Sequence, residues 1–297
     1  MCDTRMLSVN DSARQQGLKQ VLPQKLINRA IGDQLETRYC KRITNRHLIW
    51  LVVGMGLFAG KSYRQIFRLA AKPGLTIPLR ANLTTARKQL SAAVLEQLTK
   101  AVVKLFAKSP DERSFAFYKS LRLMGIDGTF LDCPDTNSNR EAFGRTSNQT
   151  SHGAFPKVRV VSLWKVAMRY GTMLRSQSPE MVRQEIFGML ISHFIVRTLI
   201  LKGAQEAGVE PMRISFTGTL DILHARLPEA KKSGPMKRLW LRELISEISR
   251  DQLPPRVDRI NPRKLKKRTN AWPTKHDTDR GPPKPNGPFA DQIEISI

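Results

Sequence analysis

Cysteine is scarce in this sequence. The 297 residues include three cysteines, Cys2, Cys40 and Cys133, and no two of them form a C-x-x-C pair. No run of histidines adds ligands at zinc-binding spacing, so the pattern argues against a structural zinc site and against a disulfide framework. We therefore expect a protein of a reducing cytoplasm.

Long apolar runs are also missing. The longest spans residues 48–59, which is shorter than the roughly 20 residues that a helix needs to cross a bilayer. The first residues lack the apolar core of a signal peptide. We expect neither a membrane span nor secretion.

The sequence also lacks a complete phosphate-binding loop. Gly54, Gly56, Gly60, Lys61 and Ser62 resemble such a loop. In the motif, however, four residues separate the two glycines and a strand precedes the first one. Neither Gly54 nor Gly56 meets the spacing, and the stretch is predicted to be helical. The sequence therefore argues against nucleotide binding here.

Acidic residues are few relative to basic ones. Asp and Glu number 25 against 50 Lys and Arg, for a formal charge of +25 and a pI near 10.6. Such an excess favours a polyanionic partner. Ribosome and membrane-surface binding would produce the same balance, so charge alone does not select DNA. The length allows one large or two medium domains with a real core.

The stretch over residues 121–166 carries the most specific pattern. We predict a short strand at residues 121–126 that ends before Asp127-Gly128-Thr129, and a second, valine-rich strand at residues 158–166. A carboxylate at the end of a buried strand suits metal binding. The same Asp-Gly pair also fits a hairpin turn. Asp132 and Asp135 follow closely.

This stretch resembles the insertion-sequence-four family of DNA transposases. Members of that family cut and paste DNA with a ribonuclease-H-like domain in which two aspartates and one glutamate hold divalent metal. The resemblance implies that Asp127 is the first aspartate of this triad and that intact relatives use magnesium or manganese. The matching residues are Asp127-Gly128-Thr129, Leu131, Pro134-Asp135-Thr136, Asn139, Phe143-Gly144-Arg145, Ala154-Phe155-Pro156 and Val158-Arg159.

The chain departs from the family after the second strand. In intact members a long segment follows, with the second aspartate and a helix bearing Tyr, Arg and Glu at three-residue spacing. Here residues 167–173 join directly to a segment similar to the one after that helix, and Tyr170 is followed three residues on by Met173. We interpret residues 167–173 as the junction of an internal deletion. One remaining ligand cannot form a two-metal site, so we expect no productive metal binding and no strand cleavage.

The N-terminal part is predicted to be helical. Helices are expected at residues 22–35, 48–59 and 84–107, and Ser62 with Gln65 forms a capping box that starts another. Helix, glycine-containing turn and helix outline a helix-turn-helix, although structural bundles share this outline. The cations predicted to contact DNA in this part are Arg64, Arg68, Arg87 and Lys88, of which Arg87 and Lys88 could equally meet solvent.

The C-terminal part is predicted to contain three helices and a tail. Ser178 and Pro179 start a helix to about residue 201, and helices follow at residues 216–227 and 239–248. We expect His193 to be a packed or half-exposed residue of the first of these helices and not a metal ligand, and Glu180 and Glu185 to be ordinary helix-surface charges. The segment from residue 254 is rich in proline and basic residues and should be unfolded. Within it, a basic cluster is either a polyanion-binding arm or simply part of a solvated tail: Arg263, Lys264, Lys266, Lys267 and Arg268. Outside the tail, Arg145 is a further candidate DNA contact.

Together these features predict an α+β protein with four parts. They are a disordered segment (1–18), a helical, helix-turn-helix-like domain (19–108), a remnant of a ribonuclease-H-like domain (119–253) and a disordered basic tail (254–297). The chain is interpreted as the DNA transposase of an insertion element, catalytically defective through internal deletion. It would act in the cytoplasm on the nucleoid and bind the terminal repeats of its element, as a homo-oligomer or with intact transposase. The alternatives are a non-catalytic DNA-binding protein that competes with intact transposase and a basic nucleic-acid binder without site preference.

Overall fold

The computed structural model describes residues 18, 21–32, 43–58, 60–70, 77–106, 117–118, 121–122, 127–147, 152–162, 173–227 and 234–255. Within them the protein is α+β, as predicted, and mostly helical. The helices are α1 (Gln24–Ile31), α2 (Asn45–Leu57), α3 (Tyr63–Ala70), α4 (Arg80–Gln89), α5 (Ala92–Phe106), α6 (Asn137–Phe143), α7 (Pro179–Ala207), α8 (Phe216–Arg226) and α9 (Gly234–Arg250). The strands are β1 (Phe117–Tyr118), β2 (Leu121–Arg122), β3 (Asp127–Asp132), β4 (Arg145–Ser147) and β5 (His152–Ser162).

Helix α7 is the centre of the fold. Its 29 residues begin after Ser178 with Pro179 in the first turn, where a missing backbone N–H costs no hydrogen bond. The helix ends at Gly208, whose φ of 64° is the left-handed conformation that glycine adopts readily. The helix therefore runs six residues beyond the predicted end at residue 201. Its apolar side chains are buried around most of its circumference, as the sequence predicted.

One core joins the N-terminal helices to the C-terminal ones. Helices α2, α5 and α9 all pack against α7. Their buried side chains form a single cluster that extends from Leu18 to Ile248. Among the described residues, the buried apolar side chains of the predicted helical domain (19–108) belong to the same cluster as most of those of residues 191–248. The reason is that α2 and α7 are each apolar nearly all round, so that neither can be covered by its immediate neighbours alone.

Helices α2 and α7 cross at very short distance. Gly188 faces the backbone of α2, and a Cβ placed on it would lie 2.5 Å from the carbonyl oxygen of Val52. Gly56 faces α7 in the same way, with Ser192 Oγ 2.5 Å from the position of a Cβ. The Ser192 hydroxyl lies 2.6 Å from the carbonyl oxygen of Val53, to which it donates. The absence of side chains on the two glycines thus permits this contact.

The strands form two small antiparallel sheets. Strand β1 pairs with β2, and the second sheet has the order β3-β5-β4. Strand β3 pairs along its whole length with β5, from Asp127 opposite Ser162 to Asp132 opposite Lys157. The predicted turn at residues 127–129 is therefore wrong. These residues stay extended because Gly128 and Thr129 pair with Val161 and Val160.

The other strand boundaries also differ from prediction. Of the strand expected at residues 121–126, Leu121 and Arg122 pair with β1, and residues 123–126 lie outside the described residues. The strand expected at residues 158–166 begins earlier, at His152, and is described to Ser162. Pro156 did not prevent this extension, because it sits beside β4 at an irregularity in the pairing.

The inner face of the β3-β5-β4 sheet packs on α7. Leu131, Cys133 and Leu174 form a second apolar cluster with Val182 and Ile186 of the helix. Burial raises the pKa of the Cys133 thiol to about 11, so this cysteine stays protonated at neutral pH. The backbone N–H of Leu174 donates to the carbonyl of Asp132 over 2.8 Å. The chain thus returns to the end of β3 just before it enters α7.

Two predictions about the N-terminal helices have different outcomes. The capping box before α3 is confirmed: the Ser62 backbone donates to Gln65 Oε1 over 2.8 Å, and the Gln65 backbone donates to Ser62 Oγ over 3.3 Å. The single helix predicted for residues 84–107 is wrong, because the chain turns extended at Leu90 and divides into α4 and α5. The N–H of Ala92, at the start of α5, donates to Glu180 Oε1 over 2.6 Å.

Helix α7 is also long and apolar enough, by length and composition, to cross a membrane. In the fold, 61% of its most apolar window is buried against other parts of the chain. Core helices of soluble proteins meet the same criterion, so this feature is weak evidence for a membrane span.

Candidate functional site

The residues that carry the resemblance to transposases lie at the β3-β5-β4 sheet. Asp127 starts β3, and Asp132 ends it. Four residues of extended chain lie between the two, and five steps along the strand place their Cα atoms about 16 Å apart. Asp132 is paired with Lys157 across the sheet at 3.2 Å.

Asp135 is also engaged by basic groups. Arg145 Nη2 donates to Asp135 Oδ2, and Arg140 Nε lies 3.4 Å from Asp135 Oδ1. The Arg145 hydrogen bond holds the pKa of the Asp135 carboxyl below its usual range. Arg145, predicted as a DNA contact, thus serves this ion pair while remaining partly exposed.

The three aspartates do not form one metal site. Paired divalent ions in phosphoryl-transfer sites lie about 4 Å apart and share carboxylates from neighbouring elements. Asp132 is too far along the strand from Asp127 for this, and Asp135 is held by two arginines. Across the described ranges no three His, Cys, Asp or Glu residues are grouped so as to hold a metal ion.

A buried polar network lies where α3, α4 and α7 meet. Its centre is Arg87, which is 0% exposed. Arg87 Nε donates to Gln184 Oε1 over 2.9 Å, and Nη1 donates to the Tyr63 hydroxyl over 2.6 Å. Its Nη2 donates to Ser176 Oγ over 3.0 Å and to the carbonyl of Met181 over 2.6 Å. Burial lowers the pKa of Arg87 from its usual value, and the nearby Tyr63 and Glu185 oppose that shift.

Glu185 supplies the negative charge of this network. It is 5% exposed and accepts a hydrogen bond of 2.5 Å from the Ser176 hydroxyl. The backbone N–H of Arg175 donates to Glu185 Oε2 over 3.1 Å. Ser176 therefore links the buried guanidinium of Arg87 to the buried carboxylate. Buried charges that are compensated in this way stay ionised at moderate cost.

Two sequence predictions are corrected by this network. Arg87 cannot meet a DNA phosphate, because its side chain is fully buried and directs its donors to protein groups. Glu185 is not a helix-surface charge, because it faces the same interior. One signal could have indicated this: Gln184 and Glu185 interrupt the apolar side of α7. The Arg87 partner was not readable, because Gln184 lies 97 residues further on.

Of the other cations predicted to contact DNA, three lie exposed on helices α3 and α4, and those of the tail lie outside the described residues. Arg64 and Arg68 are four residues apart on α3 and exposed, and Lys88 is exposed on α4. One helical turn of four residues places Arg64 and Arg68 on the same face of α3. The basic residues predicted in the tail, Arg263, Lys264, Lys266, Lys267 and Arg268, lie outside the described residues.

His193 is buried in α7, as predicted for a packed residue. It is 6% exposed, and its ring stacks on Phe216 with centroids 5.2 Å apart. Its Nδ1 has no hydrogen-bond partner among the described residues. Burial, with a smaller contribution from the charge of Arg197, lowers the pKa of His193 from 6.5 to about 4.

Acid should therefore destabilise the fold through His193. The unfolded chain takes up this proton near pH 6.5, whereas the folded chain resists it down to about pH 4. The stabilisation is complete above pH 6.5 and is lost as the pH falls toward 4, by about 3 kcal/mol in all. Urea denaturation at a series of pH values should show a smaller loss over this interval for His193→Phe than for the wild type. Identical pH profiles of the two proteins would show that His193 does not contribute to the loss of stability in acid.

Comparison with known proteins identifies the helical part. Residues 13–100, which include α1 to α4 and the start of α5, match the family described as "Insertion element 4 transposase N-terminal". This segment is thus similar to the N-terminal part of insertion element 4 transposases. The resemblance seen in the sequence is thus confirmed.

A curated relative supports the same family. The chain is 33% identical over 103 residues to the transposase InsG for insertion sequence element IS4 of Escherichia coli strain K12. That match covers 34% of this chain and 23% of the relative. The chain thus matches about a quarter of the length of this relative. No solved structure matches the chain.

Proposed function

We propose that this protein belongs to the transposition system of an insertion element and binds the DNA ends of that element without cutting them. The observation that carries the proposal is the N-terminal family segment, which is built into one folded body with α7. The exposed Arg64 and Arg68 on α3, with Lys88 on α4, suit contact with DNA phosphates. Because the proposed partner is DNA, we propose that the protein acts in the cytoplasm, at the nucleoid.

The proposed lack of cleavage rests on the ligand set. Asp127 would be the remaining member of the family's metal-binding triad. Asp132 and Asp135 do not join it, because distance separates the first and arginines engage the second. We therefore propose that magnesium or manganese is not productively bound. The internal deletion near residues 167–173 is the proposed origin of the defect.

The remaining activity would be competition with intact transposase. The N-terminal segment that matches the family is part of the α2–α7 core. This segment is folded here even though the match to the relative covers 23% of the relative's length. A protein that occupies element ends without cutting them would reduce transposition by the intact enzyme. Mixed oligomers with intact transposase would have the same effect.

A mobility shift tests end binding directly. Two duplexes of equal length, one with the element's terminal repeat and one scrambled, are titrated with the full chain near physiological salt. We expect the repeat to be bound at least about tenfold more tightly. Equal affinity for both, with a steep and common salt dependence, would instead indicate a general basic binder and contradict the proposal.

Charge removal on α3 locates the interface within the same measurement. The double variant Arg64→Gln/Arg68→Gln should flatten the slope of log affinity against log salt by about 1.8, because two phosphate contacts are lost. The matched control is Lys100→Gln/Lys104→Gln, which removes two exposed cations from α5. An equal effect of both double variants would mean that α3 is not the contact surface.

A further inference from the structure

The outer face of the β3-β5-β4 sheet exposes two aromatic rings. Phe130 is 58% exposed and Phe155 is 38% exposed. Side chains alternate between the two faces of a sheet. Leu131 of β3 and Val158 of β5, which pair in the ladder, belong to the cluster packed on α7. The opposite face therefore presents the following residues: Phe130, Asp132, Phe155, Lys157 and Arg159.

The two rings are spaced along the sheet. Phe130 lies directly opposite Arg159 in the ladder. Phe155 is four residues from Arg159 on the same strand, a distance of about 13 Å. Successive nucleotides of a strand in a duplex are about 3.4 Å apart. Rings separated by about 13 Å therefore fit bases that are spread apart, as in a single strand.

The charge of this face favours a polyanion. Lys157 and Asp132 offset each other in an ion pair of 3.2 Å. Arg159, exposed beside Phe130, supplies the excess positive charge. The whole chain carries a formal charge of +25. A second copy of the chain would bring like charges together if it docked here, which disfavours self-association through this face.

Exposed aromatic rings interleaved with cations are the usual means of binding single-stranded nucleic acid. Every base has a π face that can stack on an aromatic ring, while cations follow the phosphates. In a duplex these faces are covered by neighbouring bases, so an exposed phenylalanine finds no comparable contact there. The arrangement of Phe130, Arg159 and Phe155 combines both requirements.

We propose that this outer sheet face binds single-stranded DNA, with bases stacked on Phe130 and Phe155 and a phosphate at Arg159. The inference rests on the proposed function for its choice of DNA as the partner. The site is separate from α3, so the protein would hold duplex element ends and an unpaired strand on different surfaces. Unpaired strands form wherever a duplex opens near a bound protein.

The test is fluorescence anisotropy of the full chain with a labelled thymidine 12-mer. Phe130→Leu keeps an apolar side chain but removes the π face, so we expect about tenfold weaker binding. Phe130→Trp should bind at least as tightly as the wild type. The matched control is Met212→Ala, which truncates a side chain 78% exposed elsewhere on the surface and should have no effect. Thermal melts confirm that all variants are folded.

Several results would overturn the proposal. One is equal affinity of Phe130→Leu and the wild type for the thymidine strand. Tighter binding of a uridine 12-mer RNA than of the DNA strand would assign the face to RNA. Sedimentation of the proteins without DNA gives a third such result. If the wild type formed a dimer and Phe130→Leu did not, the sheet face would be assigned to a second copy of the chain.

Failure here is distinguishable from failure of the proposed function. Preference for the terminal repeat is measured with duplex DNA, and Phe130→Leu should leave it unchanged. If that preference is absent while the single-strand effect of Phe130 is present, the end-binding proposal fails and the sheet-face site stands. If the terminal repeat is preferred but Phe130→Leu binds the single strand as tightly as the wild type does, only the sheet-face site is ruled out.

Discussion

Arg87→Met is expected to lower the free energy of unfolding by about 4 kcal/mol, because several buried acceptors lose their charged donor and each such group costs about 1 to 3 kcal/mol. The substitution leaves Gln184 Oε1 without its donor and removes one of the two cations near Glu185, so that the Arg175 Nε at 3.8 Å is its remaining cationic neighbour among the described residues. Methionine has similar length, so the lost volume contributes little. Urea denaturation followed by circular dichroism measures the change.

The neighbouring Lys88 provides the control. Lys88→Met alters the same helix at an exposed position and should change stability by at most about 0.5 kcal/mol. In the double variant Arg87→Met/Glu185→Leu, the buried carboxylate that Arg87 helps to compensate is removed as well. We expect it to be more stable than Arg87→Met alone, since an apolar replacement of both charges is often tolerated. A loss below about 1 kcal/mol for Arg87→Met would contradict the network's role.

Gly188→Val is expected to destabilise the fold by about 3 kcal/mol, at the upper end of the usual cost of overpacking a core. Its Cβ would lie 2.5 Å from the carbonyl oxygen of Val52, a backbone atom that cannot turn away. Helices α2 and α7 would have to separate, and the Ser192 to Val53 hydrogen bond would lengthen with them. Chemical denaturation measures this change.

The comparison for this substitution is Ala225→Val. Ala225 is exposed on α8, so a valine there costs only the helix-propensity difference, about 0.5 kcal/mol. Gly54→Ala gives an intermediate test, because its Cβ would meet the Ile66 side chain and not backbone. If Gly188→Val and Ala225→Val were equally mild, the close crossing of α2 and α7 would be wrong.

Local signals in the sequence predicted the helix starts well. Ser62 and Gln65 form the expected capping box, and Ser178 with Pro179 begins α7 at the expected place. Such signals depend on residues within one turn of each other, so they are visible without tertiary context. The apolar circumference of α7 also predicted its burial.

Long-range partners explain the failures. The break between α4 and α5 is stabilised by Glu180, which accepts from the Ala92 backbone across 88 positions of sequence. Asp127 and Gly128 stay extended because their partners lie in β5. For Arg87 the sequence leaves contact with DNA phosphates or with solvent open. Only the fold reveals that Gln184 and Ser176 reach it.

The same long-range contacts decide what the family segment can do. Residues 13–100 match the family, yet their core is completed by α7 and α9. The buried network joins Tyr63 and Arg87 of the segment to Ser176 and Glu185 beyond the proposed junction. Sequence comparison alone would suggest a self-contained N-terminal domain. The structure instead makes the helices proposed to bind DNA dependent on the C-terminal half.

Native-state hydrogen exchange tests this dependence most directly. Amides of residues 48–53 in α2 and of residues 191–200 in α7 are followed at increasing, sub-denaturing urea concentrations. A single shared core predicts that both sets exchange through the same opening, with equal free energies and equal urea dependence. If α2 stayed protected under conditions where α7 exchanges freely, the N-terminal helices would form a core of their own, and the one-core account would be wrong.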